Sequence, residues 1–313
     1  MLRGILLVAL LGSAKTRGCA QPKTQFNIAI FLYQGVELLD FAGPGEAFSA
    51  TPDFNVYTVS VDGKQLVSQG FVTIQPQYSI DNAPIPDIVV FPGGEVQETS
   101  KDQKILDWVN ALVAKGSTAM SVCNGAAILA RTGLLNGLTI TTHHSAIDRL
   151  RKMLPNSTVL DNAKYVDNGN IITAAGVSSG IEGALHMISR IKGRDIAKGV
   201  AWYMEYNKWK PEEGLSLYKN PALSPDSGLI PYEGELKNLA MDLYEKGQYS
   251  QAANLMQKAI KWYPNSASCY NILGASYSKA DNRAEATKAY TRSLELDPKN
   301  EDARAYLAQP LNK

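Results

Sequence analysis

The stretch SVCNGAAILA, Ser121 to Ala130, puts a cysteine where a short apolar run, GSTAMSV, gives way to an alanine- and leucine-rich run, NGAAILARTGLL. The first run has the character of a buried strand, and the second of a helix ending near Gly133. A thiol is a nucleophile only as the thiolate, and a helix N-terminus lowers its pKa from about 8.5 into the range of roughly 3.5–7.5. On a strand-to-helix turn the amides of Asn124 and Gly125 would face the sulfur of Cys123. The opposite reading is a small buried hydrophobe with no reactivity.

Two further groups bear on the choice. In GVELLDFAGPGEAF, Glu37 and Asp40 follow a strand that ends near Tyr33. A carboxylic acid there could donate a hydrogen bond to a thiolate, provided that its pKa is raised and that the two groups titrate as a pair. Asp40 as a plain helix cap is the alternative. In DIVVFPGG, Gly93 and Gly94 follow another strand. Their N–H groups could hold an oxyanion, and the missing Cβ lets a substrate come close. His143 and His144 follow LTITT and are accessory candidates, with packing or capping as the alternative. His186 inside a helix reads as structural, and Cys269 as packing.

These residues need a frame that brings strand ends together. From Phe26 the chain alternates strands and helices, which predicts a mostly parallel α/β sheet covered on both faces. Its ligand site should lie at the carboxyl ends of the strands. The predicted strands are FNIAIFLY, FNVYTVSVD, DIVVFPGG, GSTAMSV, LTITTH and a hairpin, YVDNGNIITAAG, turning at Asn168-Gly169. LLDFAGPGEAFSA, ILDWVNALVAKG, Ser145 to Met153, SSGIEGALHMISRI and DIAKGVAWYMEY read as helices. Residues 207–232 hold four prolines and little periodicity, and read as a linker or a strap lying on a surface.

Beyond the linker the sequence repeats. Ala240 and Gly274 are 34 residues apart, as are Ala252 and Ala286, Met256 and Tyr290, and Pro264 and Pro298. That period, with small residues at fixed places, marks tetratricopeptide repeats, each a helix pair. Two repeats and a capping helix are expected over residues 233–310. Such a short array is marginal alone, so it should dock on the large domain, dimerise or bind a protein partner.

Composition limits the partners. Net charge is +1, and Glu233 to Asn300 hold nine basic and eight acidic residues, which gives nucleic acid no surface. Three cysteines make no disulfide framework, and three histidines leave little for a metal site. Residues 1–20 have a basic start at Arg3, an apolar run and small residues at Gly18 and Ala20. They predict a signal peptide cleaved after Ala20 and an exported protein. A lipid anchor on Cys19 is the rival, with Thr16 and Arg17 fitting its box badly.

Residues 26–206 resemble the ThiJ/PfpI family, whose fold is flavodoxin-like and class I glutamine amidotransferase-like. The resemblance is carried by GVELLDFAGPGEAF, DIVVFPGG, SVCNGAAILARTGLLNGLTITTHH and AAGVSSGIEGALHMI, in the family's order. It is strongest to the branch holding isonitrile hydratases and the ligand domains of AraC-type regulators. It implies that Asp40 and Cys123 are the paired active-site residues and that the chain forms a homodimer. Asn124 stands where peptidase-like members have histidine and isonitrile hydratases have threonine. No later His and Glu matches the amidotransferase triad.

Two functions follow as expectations. One is an enzyme without cofactor or metal: Cys123 attacks a small electrophile such as an isonitrile or a dicarbonyl, Asp40 moves the proton, and amides near Gly94 and Asn124 steady the intermediate. The other is a non-enzymatic ligand or redox sensor coupled to a protein-binding repeat module.

Overall fold

The computed structural model describes residues 23–218 and 230–309. The expected signal peptide, Cys19 and part of the linker lie outside the described residues. In chain order come β1 (Phe26–Phe31), α1 (Leu38–Ser49), β2 (Phe54–Ser60), β3 (Leu66–Ser68), β4 (Val72–Ile74), β5 (Tyr78–Ser79) and β6 (Ile88–Phe91). Next are α2 (Val96–Thr99), α3 (Gln103–Ala114), β7 (Thr118–Val122), α4 (Ala126–Arg131), β8 (Thr139–Thr141), α5 (Ile147–Met153) and β9 (Thr158–Leu160). Then follow β10 (Tyr165–Asp167), β11 (Ile171–Ala174), α6 (Ser179–Lys192), α7 (Arg194–Tyr203) and β12 (Leu215–Ser216). Five helices close the chain: α8 (Glu233–Glu245), α9 (Tyr249–Trp262), α10 (Ala267–Lys279), α11 (Arg283–Leu296) and α12 (Glu301–Leu307).

The main sheet has eight strands in the order β12-β10-β11-β7-β6-β1-β2-β5. From β11 to β5 every pairing is parallel, so these strands share one carboxyl rim. Only the β10–β11 hairpin, closed at Asn168-Gly169, runs antiparallel within it. The central strands are buried along their whole length because helices cover both faces. Their apolar side chains (Ile28, Ile30, Phe31, Val90, Phe91, Met120) make the main core. α1 packs on α6 so closely that a Cβ on Gly43 would lie 2.8 Å from Ile181 Cγ1.

Three elements differ from the sequence reading. The segment read as a linker is partly built into the sheet domain, where β12 (Leu215–Ser216) pairs with β10 at the edge of the main sheet. The helix after Cys123 is shorter than expected: a 3-10 turn, Cys123–Gly125, comes first, and α4 ends at Arg131. LTITT does form a strand, β8, but it pairs with β9 in a separate two-stranded sheet.

The last five helices are the repeats. α8 pairs with α9 and α10 with α11, with Ala240, Ala252, Ala286 and Gly274 buried at the contacts. A Cβ on Gly274 would sit 2.8 Å from the ring of Tyr290, which is why the position is small. Cys269 is fully buried in this core and packs, as expected. The array docks on the large domain through α8, which lies against α6. Arg190 Nε donates to Glu235 Oε1 at 3.1 Å, Asn238 Nδ2 to the Ser189 carbonyl at 2.9 Å, and Arg194 Nη2 pairs with Asp242 at 3.1 Å. The helices touch at Gly193 and Gly234, where a Cβ on Gly234 would lie 2.4 Å from the Gly193 nitrogen.

Candidate active site

Four parallel strands deliver the site. β1 leads to Glu37 and Asp40, β6 to Gly93 and Gly94, β7 to Cys123 and Asn124, and β11 to Gly176 and Val177. Cys123 opens the turn with φ +58°, a left-handed backbone that a non-glycine residue seldom takes. Its N–H donates to the Ala175 carbonyl at 2.8 Å, and its carbonyl accepts from Thr142 Oγ1 at 2.7 Å. So tight a turn needs small neighbours. A Cβ on Gly125 would lie 2.2 Å from the Phe91 carbonyl oxygen and 2.6 Å from that of Pro92.

Asp40 is fully buried on α1, and its Oδ2 accepts the Gly93 N–H at 2.8 Å. Its other oxygen, Oδ1, has no hydrogen-bond partner among the described residues. Asp40 Oδ2, Cys123 Cβ and Asn124 Oδ1 converge on Gly93: a Cβ there would meet them at 2.7, 2.9 and 2.2 Å. The carboxyl and the thiol thus lie against each other at this glycine, close enough for each charge to act on the other. The structure therefore brings Asp40 and Cys123 together, as the sequence reading expects.

The charge state of the thiol differs from that reading. Burial pushes the Cys123 thiol up to about 12, and the negative charge of Asp40 adds to it, against the opposing pull of the Asn124 and Val177 amides. Burial also raises Asp40, to about 6; the Gly93 hydrogen bond opposes and the charge of Glu37 assists. The pair at neutral pH is thus a carboxylate beside a neutral thiol. The helix-terminus argument anticipates a thiolate, but desolvation outweighs a one-turn 3-10 segment.

The glycine amides are also committed elsewhere. Gly93 N–H serves Asp40, and Gly94 N–H donates to Asn124 Oδ1 at 2.8 Å while Asn124 Nδ2 returns a bond to the Gly94 carbonyl at 3.0 Å. Gly94 is therefore not a free oxyanion donor; the Asn124 side chain occupies it and pins the β6 loop to the turn. The main-chain N–H of Asn124 does face the sulfur, and so does that of Val177. Val177 was not legible in the sequence, because nothing about a valine announces a left-handed backbone. Its φ is +44°, a conformation costing about 1–3 kcal/mol.

The remaining candidates sit at the margin. Glu37 accepts a side-chain hydrogen bond from Gln69 and lends its charge to Asp40. Tyr33 O–H donates to the Pro92 carbonyl at 2.9 Å; burial first, then Asp40, holds its phenol protonated. His143 Nδ1 lies 2.8 Å from Ser145 Oγ, and its ring lies 4.0 Å from that of His144, tilted by 40°. His143 thus caps the turn before α5, and burial with the neighbouring His144 lowers its pKa. His144 is exposed. His186 is bonded to Asp167 at 2.7 Å, away from the site. A cavity of about 160 Å³ lies beside Asn124, lined by Val96, Ala127, Thr142, Arg149, Leu150 and Met153 among others.

Comparison with known proteins bears on the fold and the family. The chain is 29% identical over 201 residues to isonitrile hydratase of Pseudomonas putida, covering 64% of this chain and 87% of that protein. It is 27% identical over 157 residues to the HTH-type transcriptional regulator GbdR of Pseudomonas aeruginosa, covering 50% of this chain and only 42% of the regulator. In fold it is similar to a THiJ/PfpI family protein from Pseudomonas syringae, with TM-score 0.56 and 24% identity over 66% of this chain and 84% of that one. Drosophila melanogaster DJ-1beta gives TM-score 0.52 and 21% identity over 58% and 98%. Tetratricopeptide-repeat models match residues 236–261 and 267–300. The DJ-1/PfpI family model matches residues 26–190, more than half of the chain. By its sheet, its turn cysteine and this match, the chain belongs to the DJ-1/PfpI family and carries tetratricopeptide repeats at its carboxyl end.

Proposed function

We propose that this chain is a cysteine-dependent enzyme that adds water to a small electrophilic carbon, with an isonitrile as the best-fitting substrate. The observation that carries the reading is the buried Asp40–Cys123 contact beneath the Asn124 amide. The similarity to isonitrile hydratase over most of that protein's length supports the substrate class.

The pair works as base and nucleophile. Above a midpoint near 6 the Asp40 carboxylate takes the thiol proton as Sγ attacks the terminal carbon of R–N≡C. Delivering that proton to the same carbon gives the thioimidate R–N=CH–S–Cys123. Water then adds to the carbon, the C–S bond breaks, the thiol regains a proton, and the formamide R–NH–CHO leaves. The Asn124 N–H steadies charge on sulfur, and the cavity beside it has room for a small R group. No step needs a metal or cofactor. A dicarbonyl substrate would use the same groups.

Incubation with a small alkyl isonitrile, followed by NMR for formamide, tests this. Turnover should rise with pH through about 6 and vanish in Cys123→Ala. In Asp40→Asn it should fall by roughly 10²–10⁴. Wild-type protein that makes no formamide from any small isonitrile sinks the substrate assignment.

The second reading, a ligand or redox sensor, is favoured by the match to a transcriptional regulator and by the high thiol pKa. On either reading we further propose an exported homodimer, with the repeats available to a protein partner.

A further inference from the structure

Six described residues other than glycine have positive φ: Asp53, Gln69, Cys123, Val177, Glu205 and Asp281. Four of them are polar residues. Cys123 and Val177 are the exceptions, and they face each other across the site. Valine is branched at Cβ and is the least suited of the six to a left-handed backbone.

The surroundings leave it no alternative. Ala175 is held on both sides, its N–H on the Lys164 carbonyl at 2.8 Å and its carbonyl on Cys123 N–H at 2.8 Å. Gly176 is wedged against His143, where a Cβ would lie 2.2 Å from Cδ2. Downstream, Ser179 N–H returns to the Gly176 carbonyl at 3.0 Å and opens α6. Strain of this kind persists where the structure over-determines it, and often where it serves a site. Its effect here is to turn the Val177 N–H toward both the sulfur of Cys123 and the carboxyl of Asp40. That donor matters because both glycine amides of the β6 loop are already used, by Asp40 and Asn124.

We propose that Val177 is held left-handed so that its main-chain N–H, with that of Asn124, forms the anion-holding pair of the site in place of the Gly93 and Gly94 amides. The side chain has no part in this; the donor belongs to the loop between β11 and α6. The proposal rests on Cys123 and Asp40 being the working pair, and its test reads the thiol rather than turnover.

In the full-length chain, the Gly176–Val177 amide is replaced by an ester, which removes only that N–H. A matching ester at Ser178–Ser179 removes the partner of the Gly176 carbonyl and controls for loosening of the loop. The expected result is alkylation of Cys123 slowed roughly three- to tenfold at fixed pH by the first ester and unchanged by the second. Equal rates in the two, or a wild-type rate in the first, overturn the proposal. Should the first ester fail to fold, the unmodified protein answers by amide NMR across pH. The Val177 amide proton should move downfield as Asp40 ionises near pH 6, by more than that of Ser178, and a smaller or absent movement overturns it. A wild-type alkylation rate in the first ester with normal isonitrile turnover would remove this donor and leave the proposed function standing.

Discussion

Asp40 has been taken out of water with no cation paired to it among the described residues, and that sets the pH behaviour of the site. Its folded pKa, about 6, stands above the ordinary 3.8, so the folded chain holds this proton more tightly than the unfolded one. The stability it contributes is complete below about pH 4 and is lost as pH rises through about 6. Asp40→Asn should therefore raise stability at pH 7 by about 3 kcal/mol, read as a higher midpoint in denaturant. The same change removes the negative charge that helps push the thiol up, so Cys123 should alkylate faster at pH 7. Formamide production should meanwhile fall, because the base is gone. A thiol that becomes slower in Asp40→Asn would contradict the arrangement described here. Cys123 and Asn124 were legible in the sequence because they follow β7 directly, and Asp40 because it lies in the first turn of the helix after β1. The protonation state of Cys123 was not, since it depends on how much water the assembled loops exclude.

Among the elements, the turn from β7 into α4 depends on glycines more than on side-chain chemistry. Gly125→Ala would drive a Cβ to 2.2 Å from the Phe91 carbonyl, a backbone atom with no room to yield. It should destabilise by at least about 1–3 kcal/mol and slow Cys123 modification, seen by calorimetry and thiol titration of the same sample. The strands were readable from apolar runs, since sheets covered on both faces need them. Which sheet β8 joins was not readable: Thr139–Thr141 has the alternation of a strand, and only the later β9 decides its partner. The brevity of α4 escaped for a similar reason. Alanine and leucine favour helix, but Cys123 must first be turned left-handed, and that uses the 3-10 segment.

At the scale of the whole molecule, Arg190 joins the two parts. Its side chain, 10% exposed, reaches Asp167, the Gly169 carbonyl and Glu235, and it stacks 3.9 Å over the ring of Tyr218. Arg190→Ala would leave Asp167 buried with only His186 and the Gly169 N–H for support. The expected cost is about 3–5 kcal/mol, and the calorimetric transition should split as the repeats melt apart from the sheet domain. A single unchanged transition would show that the α6–α8 contact does not need this arginine. The 34-residue period was plain in the sequence, but the docking was not, because the residues that make it are spread over α6, α7 and α8.

α6 takes the place beside α8 that the second helix of a preceding repeat would occupy, and α12 covers the other end. The array can therefore lengthen in one direction only. A copy of α10–α11 inserted between α11 and α12 would find compatible neighbours on both sides. The same copy inserted ahead of α8 would displace Glu235, Asn238 and Asp242 from their partners on the sheet domain. New reach for this module, in evolution or by design, must be added at its far end.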